Sequence, residues 1–119
     1  MLYRIKVEAY FSSAHNLRGY RGKCEALHGH NWKVEVSVAK DKLGETGMVL
    51  DFEFLKKKLN KILEKLDHRY LNDLTYFKKV NPTSENIAEF IFKNLRRQIP
   101  GVSAVTVWEN NTCSATYEE

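Results

Sequence analysis

Three of the four histidines in the chain have the residue type and spacing of a zinc site. His28 and His30 flank a single glycine and precede a run in which the even-numbered residues from Trp32 to Val38 are apolar. Side chains of an extended strand alternate between its two faces, so both imidazoles share the apolar face if the strand reaches back to them. Two such imidazoles supply half of a tetrahedral zinc site, although an isolated pair is also typical of ordinary half-buried histidines.

A third histidine lies in phase with another strand. Residues 3–15 alternate in polarity, and the odd-numbered face that carries Val7 and Phe11 continues through Ser13 to His15. If this strand pairs in an antiparallel sheet with the strand after His30, three imidazoles meet at one end of the sheet and a fourth metal position stays vacant. Three protein ligands and a vacancy are typical of a catalytic zinc site.

Cys24, four residues before His28, leaves the kind of metal site open. Its thiolate suits the fourth ligand of a closed structural site and equally a reactive group beside an open one. The loop that precedes it carries Arg18, Arg21 and Lys23, cations that suit a phosphate group but are also common on exposed loops. The only other cysteine is distant in sequence and there is no secretory context, so we expect Cys24 to be reduced.

Length and charge bound the remaining possibilities. The 119 residues predict a single domain over positions 1–119, and the 43% apolar content is enough for a two-layer core. The 19 Lys and Arg against 15 Asp and Glu suit an anionic substrate or a nucleic acid but require neither. We find no signal-peptide core and no stretch of membrane-spanning length, which predicts a cytoplasmic protein without a membrane partner.

The elements that must position these side chains follow an α+β pattern. Strands are predicted over residues 3–15, 32–38, 104–109 and 113–117. One helix follows Asp51 as its cap, and a second begins with Thr83 or Ser84 as its cap. The lysine-rich stretch 56–65 is interpreted as the solvent face of the first helix. The order ββααββ predicts a four-stranded antiparallel sheet with two helices on one face, whose unpaired edges favour association with other chains.

Two further carboxylates lie where chemistry is possible. Asp67 adjoins His68 just past the carboxyl end of the first helix, where the helix dipole favours an imidazolium. Glu109 shares the odd-numbered face of Val105 and Val107, where a charge is costly unless it has a partner. A fraying strand end would also accommodate that carboxylate, so both interpretations stay open.

The motifs gathered along the chain are His15, Cys24-x-x-x-His28-Gly29-His30-Asn31, Asp67-His68, Pro82-Thr83-Ser84-Glu85-Asn86 and Glu109. In this order, and over nearly the whole chain, they resemble the 6-pyruvoyltetrahydropterin synthase family. The resemblance implies the tunnelling fold, or T-fold, in which subunits form a trimeric barrel. It also implies that two trimers stack into a homohexamer with active sites at subunit interfaces.

The four-residue spacing from Cys24 to His28 resembles the branch of the family that forms 6-carboxytetrahydropterin, because the pyruvoyl-forming branch has a longer spacing. That branch implies a lyase that converts 7,8-dihydroneopterin triphosphate to 6-carboxy-5,6,7,8-tetrahydropterin, acetaldehyde and triphosphate. The reaction belongs to 7-deazaguanine and queuosine biosynthesis. The expected partner is therefore this small pterin triphosphate and not a nucleic acid.

The resemblance also implies a cofactor and its ligands. One Zn²⁺ per subunit would be held by His15, His28 and His30, with the open position available to the substrate's side-chain hydroxyls. Thr83 and Glu85, at the entrance to the second helix, match the family's motif and are expected to line the substrate pocket. A simpler role for Glu85 is compensation of the helix dipole in the first turn.

Catalytic roles follow from the same resemblance. Cys24 would be the base, activated as a thiolate by nearby positive charge, and His68 would move protons while Asp67 orients it. Glu109 resembles a pterin anchor, because a carboxylate accepts two parallel hydrogen bonds from the 2-amino group and a ring N–H.

Two alternatives remain on the sequence alone. A related pterin enzyme, either pyruvoyl-forming or aldolase-like, would use the same residues for a different product. A non-enzymatic, zinc-stabilised nucleic-acid-binding module would fit the basic charge and four candidate zinc ligands. That second alternative leaves Asp67, His68 and Glu109 unexplained.

Overall fold

The computed structural model describes residues 1–20 and 26–119, so Cys24 lies outside the described residues. The strands are β1 (Tyr3–His15), β2 (His28–Lys40), β3 (Arg69–Tyr70), β4 (Val102–Trp108) and β5 (Ser114–Glu118). The α-helices are α1 (Phe52–Leu63), α2 (Thr75–Lys79) and α3 (Ser84–Arg96), and a 3-10 helix spans Leu71–Asp73. In the described residues the strands form one sheet in the order β3-β1-β2-β4-β5.

The predicted α+β class is confirmed, but the predicted four strands and two helices are wrong in number. Strand β3 pairs parallel to β1 through only two residues, opposite Ser13 and Ala14, and both of its residues are exposed. Helix α2 has five residues, fewer than two helical turns. Elements this short cannot build an alternating or 3.6-residue apolar pattern, so the sequence carries no periodic signal for them.

The two longest strands form as their alternation predicts. β1 and β2 pair antiparallel along their whole length, from Tyr3 opposite Lys40 to His15 opposite His28. This register places Ser13 opposite His30. The ladder therefore ends with the histidines of the two strands side by side, on the face that carries the core.

Helices α1 and α3 pack on that same face and enclose a single apolar core. Asp51 caps α1 by accepting a hydrogen bond from the Glu53 N–H at 2.9 Å, and Thr83 caps α3 by accepting one from the Asn86 N–H at 3.1 Å. Trp32 is fully buried, and its ring contacts the rings of both His15 and His30. Both caps confirm the predicted helix starts.

The opposite face of the sheet carries mainly polar side chains. Lys33 forms ion pairs there with Glu8 at 3.1 Å and with Glu35 at 3.4 Å, and Glu35 also accepts a hydrogen bond from the indole of Trp108. Within residues 1–20 and 26–119, none of the helices is long and apolar enough to cross a membrane.

Candidate metal centre

The histidine cluster forms where β1 ends and β2 begins. His15 is the last residue of β1 and His28 the first of β2, and the antiparallel register sets them directly opposite. His30 lies two residues further along β2, on the same face as His28. The strand alternation read from the sequence therefore brings all three imidazoles together, as predicted.

The three rings are in contact at the geometry of a metal site. The Nε2 atoms of His15 and His28 are 3.0 Å apart, and the ring centroids of His15 and His30 are separated by 5.2 Å. Two nitrogen ligands at tetrahedral angles around zinc lie about 3.4 Å apart, given Zn–N bonds of about 2.0–2.1 Å. The His15 and His28 rings would therefore need to move only slightly apart to accept the ion.

Backbone carbonyls fix which nitrogen of each ring is protonated. His15 Nδ1 lies 2.7 Å from the Pro82 carbonyl oxygen, and His28 Nδ1 lies 2.7 Å from the Ala26 carbonyl oxygen. A carbonyl oxygen can only accept, so each Nδ1 donates and each neutral ring keeps a lone pair on Nε2. Two lone pairs facing each other at 3.0 Å repel unless a cation lies between them. This opposition is the observation that most strongly indicates a metal site.

His30 and Glu109 complete the cluster. Glu109 Oε1 lies 3.2 Å from His30 Nε2, but the two atoms do not form a hydrogen bond. The buried His30 Nε2 therefore has no hydrogen-bond partner among the described residues. The candidate ligand atoms of His15, His28, His30 and Glu109 all lie within 4.8 Å of one another. A buried nitrogen without a partner is costly, and a metal ion would satisfy it. The residues present therefore fit a divalent metal with imidazole ligands.

Burial keeps two of these imidazoles in the ligand form. Desolvation lowers the pKa of His15 and outweighs the opposing effect of the Pro82 carbonyl. Desolvation likewise lowers the pKa of His30 and outweighs the attraction of the Glu109 carboxylate. Neutral imidazole is the form that binds a metal, so the buried setting favours coordination.

Asp67 and His68 form a second polar group at the outer edge of β1. His68 Nδ1 lies 3.0 Å from Asp67 Oδ2, while Asp67 Oδ1 accepts a hydrogen bond from the Ser12 N–H at 2.8 Å. The Ser12 N–H is the main cause of the lowered pKa of Asp67, which keeps its carboxylate ionised. His68 has a left-handed backbone, with φ of 56°, and its N–H donates to the Ser12 carbonyl.

An open groove of about 470 Å³ connects the two polar groups along the end of the sheet. The residues that line it include His30, Asn31, His68 and Tyr70. Its size suits a small ligand, since ligand sites typically have volumes of about 300–1,000 Å³. The groove therefore offers one molecule access to both His30 and His68.

A match to a protein-family model identifies the family of the chain. Residues 4–119 match the model described as 6-pyruvoyl tetrahydropterin synthase. The chain belongs to this family.

Individual members of the family are similar over nearly the whole chain. A 6-carboxy-5,6,7,8-tetrahydropterin synthase of Synechocystis sp. is 44% identical over 95% of this chain and 91% of its own length. A dihydroneopterin monophosphate aldolase of Pyrococcus furiosus is 38% identical over 91% of this chain and 90% of its own length. The structure of Caenorhabditis elegans 6-pyruvoyl tetrahydropterin synthase superposes with a TM-score of 0.90 at 30% identity, covering 100% of this chain and 96% of that one.

Other predicted site residues of this family member lie elsewhere. Thr83 caps α3, and Glu85 is exposed in the first turn of that helix. Neither lines the groove beside His30, so their predicted contact with a substrate stays a prediction. Cys24 lies outside the described residues, and its predicted role as the base likewise stays a prediction.

The position of Arg18 in a loop would allow a contact with phosphate, but its side chain makes hydrogen bonds within the chain. Its guanidinium donates to the carbonyl oxygens of Phe77 and Val80, and its Nε donates to the Asn81 side-chain oxygen at 3.3 Å. These bonds tie the chain after β1 to the segment before α3. Sequence reasoning missed this, and also the two carbonyls that orient His15 and His28, because every residue has a backbone carbonyl and its use leaves no sequence signal.

Proposed function

We propose that the chain is a zinc-dependent lyase that converts 7,8-dihydroneopterin triphosphate to 6-carboxy-5,6,7,8-tetrahydropterin, acetaldehyde and triphosphate. The reaction would serve 7-deazaguanine and queuosine biosynthesis. The observation that carries the proposal is the opposition of the His15 and His28 Nε2 atoms at 3.0 Å, because it supports a cation at this point of the family fold. The spacing from Cys24 to His28 and the 44% identity to a 6-carboxytetrahydropterin synthase support the choice of product.

In this mechanism His15, His28 and His30 would hold the metal. When bound, Zn²⁺ would supply Lewis-acid chemistry that stabilises negative charge on a coordinated oxygen. The Pro82 and Ala26 carbonyls keep the ligand lone pairs of His15 and His28 directed at the centre.

The proton transfers fall to three other side chains. Cys24 would remove a proton from carbon as a thiolate, the form in which cysteine is reactive. Asp67, held in place by the Ser12 N–H, binds His68 Nδ1 and so leaves His68 Nε2 free to exchange a proton with the substrate. The exposure of His68, whose side chain is 82% accessible, gives a substrate direct access to that ring.

The Glu109 carboxylate is proposed to anchor the pterin ring. It lies at the histidine cluster, 3.2 Å from His30, so a ring bound to it would have its side chain close to the metal. A carboxylate is the natural partner for the 2-amino group and the adjacent ring N–H, which present two donors side by side.

Incubation of zinc-loaded protein with dihydroneopterin triphosphate tests the reaction. We expect mass spectrometry to identify 6-carboxytetrahydropterin and an aldehyde assay to detect equimolar acetaldehyde. The same incubation after removal of zinc with a chelator is the control and should give neither product. A pyruvoyl product would assign the chain to the pyruvoyl-forming branch, and the absence of any pterin product would contradict the proposed activity.

A pterin aldolase is the second candidate, because the aldolase of Pyrococcus furiosus is 38% identical over 91% of the chain. An aldolase would cleave the substrate side chain and leave a shortened pterin. The product mass in the same incubation separates the two, since only the proposed lyase yields the carboxylated ring.

We also propose a homohexamer built from two trimers. In the described residues, β1 positions 3–11 pair with β2 alone, and β5 pairs with β4 alone, so both edges of the sheet offer unpaired backbone groups. Light scattering is expected to report a mass near six times the 13.9 kDa chain. A stable monomer with full activity would contradict active sites built at subunit interfaces.

A further inference from the structure

Side-chain amides extend the sheet beyond the end of β1. The Asn72 side chain accepts from the Asn16 N–H at 3.0 Å and donates to the Asn16 carbonyl at 2.9 Å. The Asn81 side chain does the same with Arg18, accepting from its N–H at 3.0 Å and donating to its carbonyl at 2.8 Å. This exchange of both bonds is what a residue in a hydrogen-bonded antiparallel pair makes with its partner. The segment leaving His15 is therefore held like a strand.

Asn81 also begins a turn, and the carbonyl of the next residue, Pro82, contacts His15. The Asn81 carbonyl accepts from the Asn86 side-chain amide at 2.8 Å and from the Thr83 N–H at 2.9 Å. The Pro82 carbonyl that follows receives the Nδ1–H of His15 at 2.7 Å, in a buried position. One residue thus binds the segment that follows His15, through Arg18, and directly precedes the Pro82 carbonyl that contacts the His15 ring.

We propose that Asn81 is a positioning residue for the metal ligand His15. Its amide holds residue 18, three positions after His15, and its backbone holds the Pro82 carbonyl that determines the tautomer and the ring orientation. Loss of the amide would let the two segments separate, so the buried Nδ1–H would lose its acceptor and Nε2 would turn from the metal. The inference rests on the proposed metal function.

Zinc affinity of Asn81→Ala, measured by competition with a chelator, tests the assignment. We expect binding about 10–100-fold weaker than in the parent, the usual effect of removing a group that orients a metal ligand. The visible spectrum of the Co²⁺-loaded protein should also change, because it reports the geometry around the metal and not the overall stability.

Asn94→Ala is the matched control. Asn94 is half-buried in α3, and its side-chain amide donates a hydrogen bond to the Phe90 carbonyl at 2.8 Å. Its replacement therefore also removes a hydrogen bond from a side-chain amide to a backbone carbonyl, but away from the histidines. This variant should keep the parent's zinc affinity and Co²⁺ spectrum. If Asn81→Ala folds and matches Asn94→Ala in both measurements, the assignment is wrong.

A second variant keeps the test decisive if Asn81→Ala does not fold. Asn81→Asp keeps an acceptor for the Arg18 N–H but loses the donor to the Arg18 carbonyl, so it breaks one half of the proposed pair with a smaller change of side-chain volume. We expect a several-fold loss of zinc affinity, and an unchanged affinity would overturn the proposal. If the parent protein binds no zinc, the proposed metal function is wrong, whatever the role of Asn81. If the parent binds zinc and turns over substrate, the measurements on the variants test only the role of Asn81.

Discussion

Replacing His28 with alanine is expected to abolish stoichiometric zinc binding and turnover. Two remaining imidazoles cannot hold the ion well, since catalytic zinc sites have three protein ligands. His28 is also one of the two rings whose Nε2 atoms oppose each other at 3.0 Å, so its removal relieves the repulsion that favours a cation. Metal analysis should find about one zinc per chain in the parent and none in the variant.

The Cys24→Ala variant completes this test. If Cys24 is the base, the variant should keep its zinc while turnover falls by roughly 10²–10⁴-fold, the usual contribution of a general base. Cys113→Ala provides the matched control, because Cys113 is an exposed thiol just before β5. It should change neither quantity. Loss of zinc in Cys24→Ala would instead identify a closed structural site and would contradict the catalytic interpretation.

Replacing Glu109 with glutamine is expected to weaken pterin binding by about 30-fold to several hundredfold. The neutral amide presents one acceptor and one donor to a ring edge that offers two donors, which leaves one of them unpaired in the pocket. The corresponding loss is roughly 2–4 kcal/mol of binding free energy. Titration of a non-reactive pterin measures it directly. The Cys24→Ala variant should bind the same pterin as tightly as the parent.

Zinc content of the glutamine variant decides between two roles for this carboxylate. As a pterin anchor, Glu109 is not a ligand, so zinc content should not change. Its position 3.2 Å from His30 makes the measurement necessary, because the carboxylate is close enough to the cluster to affect the metal. Pterin binding equal to that of the parent would show that Glu109 is only a charge at a strand end.

The sequence predicts those parts of the fold and site in which apolar and polar residues alternate regularly. The thirteen residues of β1 and of β2 alternate long enough to place His15, His28 and His30 on one face, and their pairing follows from that face. The same alternation puts Glu109 on the buried face of Val105 and Val107 but leaves open whether it has a partner, and the structure places it 3.2 Å from His30.

Other parts were not predictable because their cause lies in the backbone or in tertiary contact. Strand β3 exists because two residues after α1 reach the edge of β1, which no local pattern reveals. The Pro82 carbonyl reaches His15 across 67 positions of sequence. Arg18 looks like an exposed loop cation in the sequence, yet its guanidinium binds carbonyl oxygens within α2 and just after it.

The left-handed backbone at His68 carries an evolutionary consequence. A non-glycine residue at φ of 56° is less stable than a right-handed one by roughly 1–2 kcal/mol, although histidine tolerates this region better than β-branched residues do. Selection for thermal stability alone would therefore favour glycine at this position. A lineage adapting to heat would face a trade-off here between the imidazole and a more relaxed main chain. Stabilising substitutions should consequently accumulate elsewhere in the chain before they reach position 68.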